Sequence, residues 1–235
     1  MRAVPWWGVV SAAAAPVLMA GGWTLAAGLQ AHPYNPVAST VSALAAPGAT
    51  DRWVMTLTFV VVGVCDVITG LALRPARVPG RLTMMAGGVA GWLIAAYPEH
   101  PGTNFPLPHM IWAAAGGIAL AAWSAGAFRR GPSVPWGLRP AVSAGAVVVL
   151  LALLAWFGAE LITAAGQAGL AERSYGAAQA LWPLAVVASC RYAARAATRP
   201  GPAVTRNQLA ARVLPVHLDA ARELAEIDEP AAGAS

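Results

Sequence analysis

The chain has 235 residues, of which 58% are hydrophobic and only 11% are charged, and its formal net charge is +5. A charged fraction so far below the roughly 25% of ordinary soluble domains excludes a soluble enzyme or binding domain of usual composition. Positive net charge suggests a nucleic-acid partner in a soluble protein, but here all fifteen basic residues are Arg and most of them flank long apolar runs. We therefore expect membrane lipids as partners and no nucleic acid.

Six apolar runs approach or exceed the roughly 18 residues that predict a membrane-spanning helix. The predicted spans are Trp6–Leu29, Val54–Leu73, Leu82–Tyr97, His109–Phe128, Ala141–Gly166 and Gly176–Tyr192. The predicted fold class is all-α: a polytopic membrane bundle of six transmembrane helices in one domain, residues 1–193. Residues 194–235 are predicted to be a cytoplasmic tail, basic and then acidic, with a short amphipathic helix at Val216–Ile227.

The distribution of Arg predicts the orientation of the bundle. Thirteen of the fifteen Arg lie in the N-terminal segment, the connections after spans two and four, and the C-terminal segment. The other three connections hold only Arg52 and Arg173. Because positive charge is retained on the cytoplasmic side, both termini are predicted to be cytoplasmic and the protein to lie in the cytoplasmic membrane.

The first connection, His32 to Trp53, is unusually polar for this chain and reads HPYNPVASTVSALAAPGATDRW. Pro33 and Pro36 disfavour helix in the residues before them, so the chain turns there. Residues 39–46 are predicted to form a short helix at the outer surface, and Asp51 to cap the second span.

Spans two and three carry small residues at helical spacing. Gly63, Asp66 and Gly70 share one face of span two, and Gly87 and Gly91 are four residues apart in span three. Small residues let a neighbouring helix approach closely. Asp66 is therefore predicted to face protein, as a structural or proton-relay residue toward the cytoplasmic side.

The connection after span three is rich in proline and reads PEHPGTNFPLP. It supplies Glu99 and His100, and His109 follows at the start of span four. Three such ligands would suit a catalytic zinc ion, but their spacing matches no established metal motif. We expect no metal and no cofactor.

Spans five and six carry polar and aromatic stripes. One face of span five holds Trp156, Glu160, Thr163 and Gln167, at i, i+4, i+7 and i+11. One face of span six holds Tyr175, Gln179 and Trp182. The intervening loop, GLAERSYG, adds Glu172 and Arg173.

Three of these pieces together resemble the membrane family catalogued as domain of unknown function 998. They are NPVASTVSALAAPGATDRWVM (Asn35–Met55), the Pro-acid-His connection with the following His (Pro98–His109), and GLAER (Gly169–Arg173). The resemblance covers roughly residues 6–193. It implies a six-helix bundle and no particular reaction or ligand.

Most of the polar residues are placed near the outer surface, which predicts a pocket that opens outward. Its candidate ligand-binding residues are His32, Asn35, Ser39, Ser42, Glu99, Gln167, Arg173, Tyr175 and Gln179. Its candidate acid–base residues are Glu160, His100 and His109. The alternative is that these side chains only hydrogen-bond across helices and tie the connections down; in that case Glu160 is most simply an ion-pair partner of Arg173.

Three functions follow from these patterns. The first is binding of a lipid or small amphiphile in the outward-facing pocket. The second is an intramembrane enzyme that acts on a lipid or isoprenoid, with Glu160 and a His as acid and base. The third is a small-molecule transporter, which requires a polar path that continues to Asp66. A serine nucleophile is disfavoured because no G-x-S-x-G motif is present.

Overall fold

The computed structural model of the chain describes residues 3–100 and 106–198. Over these residues it contains six α-helices, two short 3-10 helices and no strand. The α-helices are α1 (Trp6–Gly28), α2 (Trp53–Ala72), α3 (Val78–Ala96), α4 (Leu107–Ala127), α5 (Pro140–Thr163) and α6 (Ala168–Thr198). One compact unit covers Met1–Ala196 and a second begins at Ala197. The predicted tail, with its helix at Val216–Ile227, lies almost wholly outside the described residues.

Each predicted span coincides with a helix, but α3 and α6 begin well before the predicted residues. α3 begins at Val78, with Pro79 in its first turn, where proline is favoured because its missing N–H has no helical partner. α6 begins at Ala168, so GLAER is part of a helix and not of a loop. This difference matters for the site, because it fixes Glu172 and Arg173 on a rigid element.

Four helices, α1, α2, α4 and α5, are long and apolar enough to cross a membrane. Large apolar side chains project from them into the surroundings: Val17 is 70% exposed, Val148 is 66% exposed and Ile162 is 87% exposed. Helices that are apolar all round are typical of a membrane environment. The protein is a membrane protein; that α3 and α6 also cross the membrane stays a prediction.

The helices pack in chain order from α1 to α5, each against the next. α6 then returns to the beginning of the bundle. Its Arg191 donates from Nη1 to the carbonyl of Val4, at 2.9 Å, next to the start of α1. Its Tyr175 donates from Oη to the carbonyl of Gly117 in α4, at 2.6 Å. α6 thereby contacts the segment that precedes α1 and also α4.

Glycine allows a close helix contact between α2 and α3. A Cβ on Gly63 would lie 2.5 Å from the carbonyl oxygen of Gly88, and one on Gly70 would lie 2.6 Å from Cγ of Met85. The predicted close packing of this face of α2 is confirmed. The two glycines of α3 named in the sequence analysis contact different helices: Gly87 faces Leu120 of α4, while Gly91 faces α2.

The first connection is less helical than predicted. A 3-10 helix covers only Ser42–Ala45, because backbone groups before it bind α6 instead of one another, as described below. Asp51 does not cap α2: Arg52 is the N-cap residue and no side chain caps the helix. Asp51 has a left-handed backbone, with φ of 49°, so it serves the turn that precedes α2.

Candidate functional site

Gln30 and Thr50 close the two ends of the first connection. The amide nitrogen of Gln30, Nε2, donates to the carbonyl of Thr50 at 3.0 Å, and its Oε1 accepts from the Thr50 N–H at 3.1 Å. The Ala31 N–H donates to Oγ1 of Thr50 at 3.2 Å. The connection is therefore a closed loop whose ends are held together independently of its middle.

Asn35 shapes the middle of this loop. Its Oδ1 accepts hydrogen bonds from the N–H groups of Val37 and Ala38, at 2.9 and 3.3 Å, which is the turn that asparagine favours. The resulting bend directs the carbonyls of Pro36 and Ser39 toward α6. Asn35 thus acts on the backbone of the loop, and like His32 it is exposed.

Arg173 fastens this loop to α6. Its Nη1 donates to the carbonyls of Pro36 and Ser39, at 2.8 and 3.1 Å, and to that of Gly169 in its own helix, at 3.0 Å. Its Nη2 donates to Oη of Tyr34 at 2.6 Å. The Leu170 N–H also donates to the Val37 carbonyl at 2.9 Å. The guanidinium therefore uses its planar set of donors for carbonyls and a phenol.

The interpretation of Arg173 as the ion-pair partner of Glu160 is wrong. Oε2 of Glu160 accepts from the Gln167 N–H at 2.9 Å, and Oε1 accepts from Nε1 of Trp156 at 3.3 Å. α5 ends at Thr163 and the backbone reverses at Ala164, with φ of 50°. The Glu160 carboxyl therefore closes the end of its own helix. Gln167 lies beyond that end, so the predicted stripe does not reach it.

Glu172, next to Arg173 on α6, binds the following part of the loop. Its Oε2 accepts from the Val41 N–H at 2.5 Å and its Oε1 accepts from Oγ of Ser42 at 3.2 Å. The carboxylate thus receives two donors at the start of the 3-10 helix. Together, adjacent residues of α6 bind the carbonyls and then the N–H groups of one short stretch.

Glu99 approaches the same stretch from the connection after α3. Oγ1 of Thr40 donates to both carboxyl oxygens of Glu99, at 3.3 and 3.4 Å, and accepts from the Ala43 N–H at 3.1 Å. Burial raises the pKa of Glu99, and the hydrogen bond from Thr40 opposes that rise only in part. Burial also raises the pKa of Tyr34, and the bonded Arg173 lowers it. The start of α6 and the connection after α3 therefore both bind residues 36–42 of the first connection.

Beneath this junction lies a cavity of about 350 Å³, within the range of small-molecule sites. Its wall is mostly apolar. The polar side chains among the described residues that line it are Thr40, Ser42, Asp66, Glu99, His109, Glu172, Tyr175 and Gln179. Five of the predicted candidates are in this set: Ser42, Glu99, His109, Tyr175 and Gln179.

Asp66 lines the same cavity, although it was predicted to lie apart from the outer cluster. Gly63 lies three residues before Asp66 on the same face of α2, and it also lines the cavity. The space therefore continues along α2 as far as Asp66. The carboxyl is buried, with only 6% of the residue exposed.

His109 is held by the backbone at the start of α4. Its Nδ1 lies 2.8 Å from the carbonyl oxygen of Tyr97. Since a carbonyl can only accept, Nδ1 carries the proton, and Nε2 is the nitrogen left for chemistry. The residue is 4% exposed. It combines a fixed tautomer with a position in the cavity wall.

The other predicted site residues lie elsewhere. The described cavity wall does not include His32, Asn35, Ser39, His100, Glu160, Gln167 or Arg173. His100 is exposed. Among the described residues, no group of three His, Cys, Asp or Glu side chains is placed to hold a metal ion.

Four residues of the site were missed as candidates: Gln30, Tyr34, Thr40 and Glu172. Glu172 carried a signal, because it lies in GLAER beside the predicted Arg173. Thr40 also carried one, within the polar stretch NPVAST. Gln30 and Tyr34 gave no pattern of their own, since their partners are backbone carbonyls and side chains far along the chain.

A family model described as a protein of unknown function, DUF998, matches residues 6–189 of the chain. The match confirms the family resemblance that the three motifs indicated in the sequence. Two of those motifs, NPVAST and GLAER, are the ones that the hydrogen bonds of Arg173 and Glu172 join. Comparison with curated proteins and comparison with solved structures gave no match.

Proposed function

The chain belongs to the DUF998 family, and we propose that it binds a lipid or small amphiphile in the cavity beneath residues 36–42. One observation carries the proposal: a cavity of about 350 Å³ has an apolar wall and a few polar groups. Such a combination suits a ligand with an apolar body and a polar group, since apolar walls supply affinity and a few polar groups fix orientation.

The direction in which the cavity opens follows from the Arg distribution. Thr40, Ser42, Glu99 and Glu172 line the cavity. They belong to the connections after α1 and α3 and to the start of α6, on the side of the bundle that carries only Arg52 and Arg173. By the positive-inside rule these connections lie outside the cell. We therefore infer an outward-facing cavity in a multi-pass protein of the cytoplasmic membrane.

Filling the cavity tests the proposal. Gly158 of α5 lines the cavity, and a Cβ added to it meets nothing within 4 Å, so Gly158→Leu should occupy ligand space without a clash. Gly145→Leu is the matched control, because it lies on the same helix, is equally open and is not part of the described wall. Extracts of the purified wild-type protein, analysed by mass spectrometry, should contain an enriched amphiphile that Gly158→Leu loses and Gly145→Leu keeps. Equal extracts from all three proteins would contradict the proposal.

Transport is the second candidate, and the position of Asp66 favours it. A transporter requires a polar path that leaves the outer junction, and Asp66 and Glu99 line one cavity. Ionisable groups at membrane depth are typical of transport pathways. The enzymatic alternative has less support, because His109 is hydrogen-bonded to a backbone carbonyl, whereas acid–base catalysis requires convergent titratable groups. Uptake of the extracted amphiphile into proteoliposomes would distinguish transport from binding.

A further inference from the structure

The charged groups of the cavity are of one sign. Asp66, Glu99 and Glu172 line it, and no Arg is among the described lining residues. The nearest candidate cation, Arg173, directs its Nη1 and Nη2 to carbonyls and to Tyr34. The charged groups that a ligand in this cavity meets are therefore carboxyl groups. An anionic or zwitterionic headgroup would leave its phosphate without a cationic partner.

The three carboxyl groups differ in their partners. Glu99 accepts from Thr40, and Glu172 accepts from Val41 and Ser42. Asp66 lines the cavity and is only 6% exposed, yet no described residue donates a hydrogen bond to its carboxyl. A buried carboxyl without a donor is costly as an anion. Asp66 is therefore the group whose charge the protein itself leaves unmatched.

Aromatic rings surround the same space. Trp23, Phe59, Phe157 and Tyr175 line the cavity, and the faces of aromatic rings attract organic cations. The described residues contain no group of three ligands suited to a metal ion. Carboxyl charge combined with aromatic walls suits an ammonium group better than a metal cation, which needs several oxygen ligands at short range.

We propose that the ligand is a cationic amphiphile whose ammonium group pairs with Asp66 and whose apolar part lies along the walls formed by α2, α4 and α5. This inference rests on the proposed binding function and names the chemistry of its ligand. The ammonium group is the positively charged partner that the protein itself does not provide for the Asp66 carboxyl.

The test measures binding of dodecyltrimethylammonium to the full-length protein in phosphatidylcholine nanodiscs. The uncharged probe of the same shape, in which carbon replaces the nitrogen, and zwitterionic dodecylphosphocholine are compared with it. We expect the cation to bind about tenfold more tightly than either comparison probe, given the strength of desolvated cation–π and charge contacts. Asp66→Asn should abolish that preference and retain binding of the uncharged probe.

Asp51→Asn is the matched control, because it removes the same charge from an exposed residue outside the described cavity wall. It should retain the full preference for the cation. A preference that survives in Asp66→Asn would overturn the proposal. Should Asp66→Asn fail to fold, the comparison of the probes on the wild-type protein decides. Equal affinity for the cation and its uncharged counterpart would overturn the cationic ligand. Because both probes would then bind, the proposed function would stand. Binding of no probe at all would overturn both.

Discussion

Nη2 of Arg173 donates a 2.6 Å hydrogen bond to Oη of Tyr34, across 139 positions of sequence. Oη of Tyr34 in turn lies 2.8 Å from the carbonyl of Thr40, and the guanidinium lies 5.5 Å from the centre of the Tyr34 ring. These contacts attach the first connection to α6 beside Thr40 and Ser42, which line the cavity.

Arg173→Lys should destabilise the protein by about 1–3 kcal/mol, because an ammonium group cannot reproduce the planar fork and leaves carbonyls unsatisfied. Thermal unfolding in detergent measures the loss. Arg130→Lys is the control, since Arg130 is exposed and lies over the ring of Phe128. In a double-mutant cycle, Tyr34→Phe should cost less in the Arg173→Lys background than in the wild type. Equal costs in both backgrounds would show that the pair is not coupled.

Glu160→Gln should change stability by less than about 1 kcal/mol, because a glutamine oxygen can still accept from the Gln167 N–H. Combined with Arg173→Gln, its effect should add to within roughly 0.5 kcal/mol, as expected for sites without a shared partner. Melting curves of the two single variants and the double variant test this. Rescue of Glu160→Gln by Arg173→Gln would indicate an ion pair between the two side chains. It would contradict the local hydrogen bonds that Glu160 makes in the structure.

Gly63→Leu should destabilise the bundle by about 1–3 kcal/mol or more through overpacking, since the carbonyl oxygen of Gly88 occupies the space and backbone cannot move aside cheaply. Gly21→Leu is the control: it is the same substitution on an apolar helix, and a Cβ there meets nothing within 4 Å. Thermal unfolding should separate the two variants clearly. Equal melting temperatures would mean that α2 and α3 do not approach as closely as the structure shows.

Glu99 should make stability depend on pH. Burial raises its pKa in the folded protein above the ordinary value of 4.5, so the folded state binds the proton more tightly than the unfolded state. The contribution is fully present below pH 4.5 and is lost as the pH rises through the raised folded value. The difference in melting temperature between wild type and Glu99→Gln should therefore shift in favour of the variant as the pH rises from 4.5. A difference that is constant with pH would contradict this assignment.

The orientation can be tested with reporters that are active only outside the cytoplasm. A fusion at Ser235 should be inactive, because thirteen of fifteen Arg lie on the side of the termini. The same reporter inserted at Gly166 should be active; a Cβ at this glycine meets nothing within 4 Å, so the insertion disturbs no packing. The opposite pattern would show that the bundle has the inverse orientation, with the cavity on the cytoplasmic side.

The sequence by itself determined the class of the protein, the position of its helices and its family. Long apolar runs depend on local composition, and so they can be recognised without knowledge of the fold. The close approach at Gly63 was also predictable, because helical spacing places it on one face with Gly70. The polar character of the first connection indicated correctly where the chain would be tied together.

Only the tertiary structure decided which polar residues meet. Glu160 had the most conspicuous position in the sequence, yet it closes its own helix because α5 ends three residues later. Tyr34 and Thr40 became central because their partners lie on α6 and after α3, at distances along the chain that no local pattern encodes. Asp66 joined the cavity because faces of α2, α4 and α5 line one space, and which helix faces meet is set by packing alone.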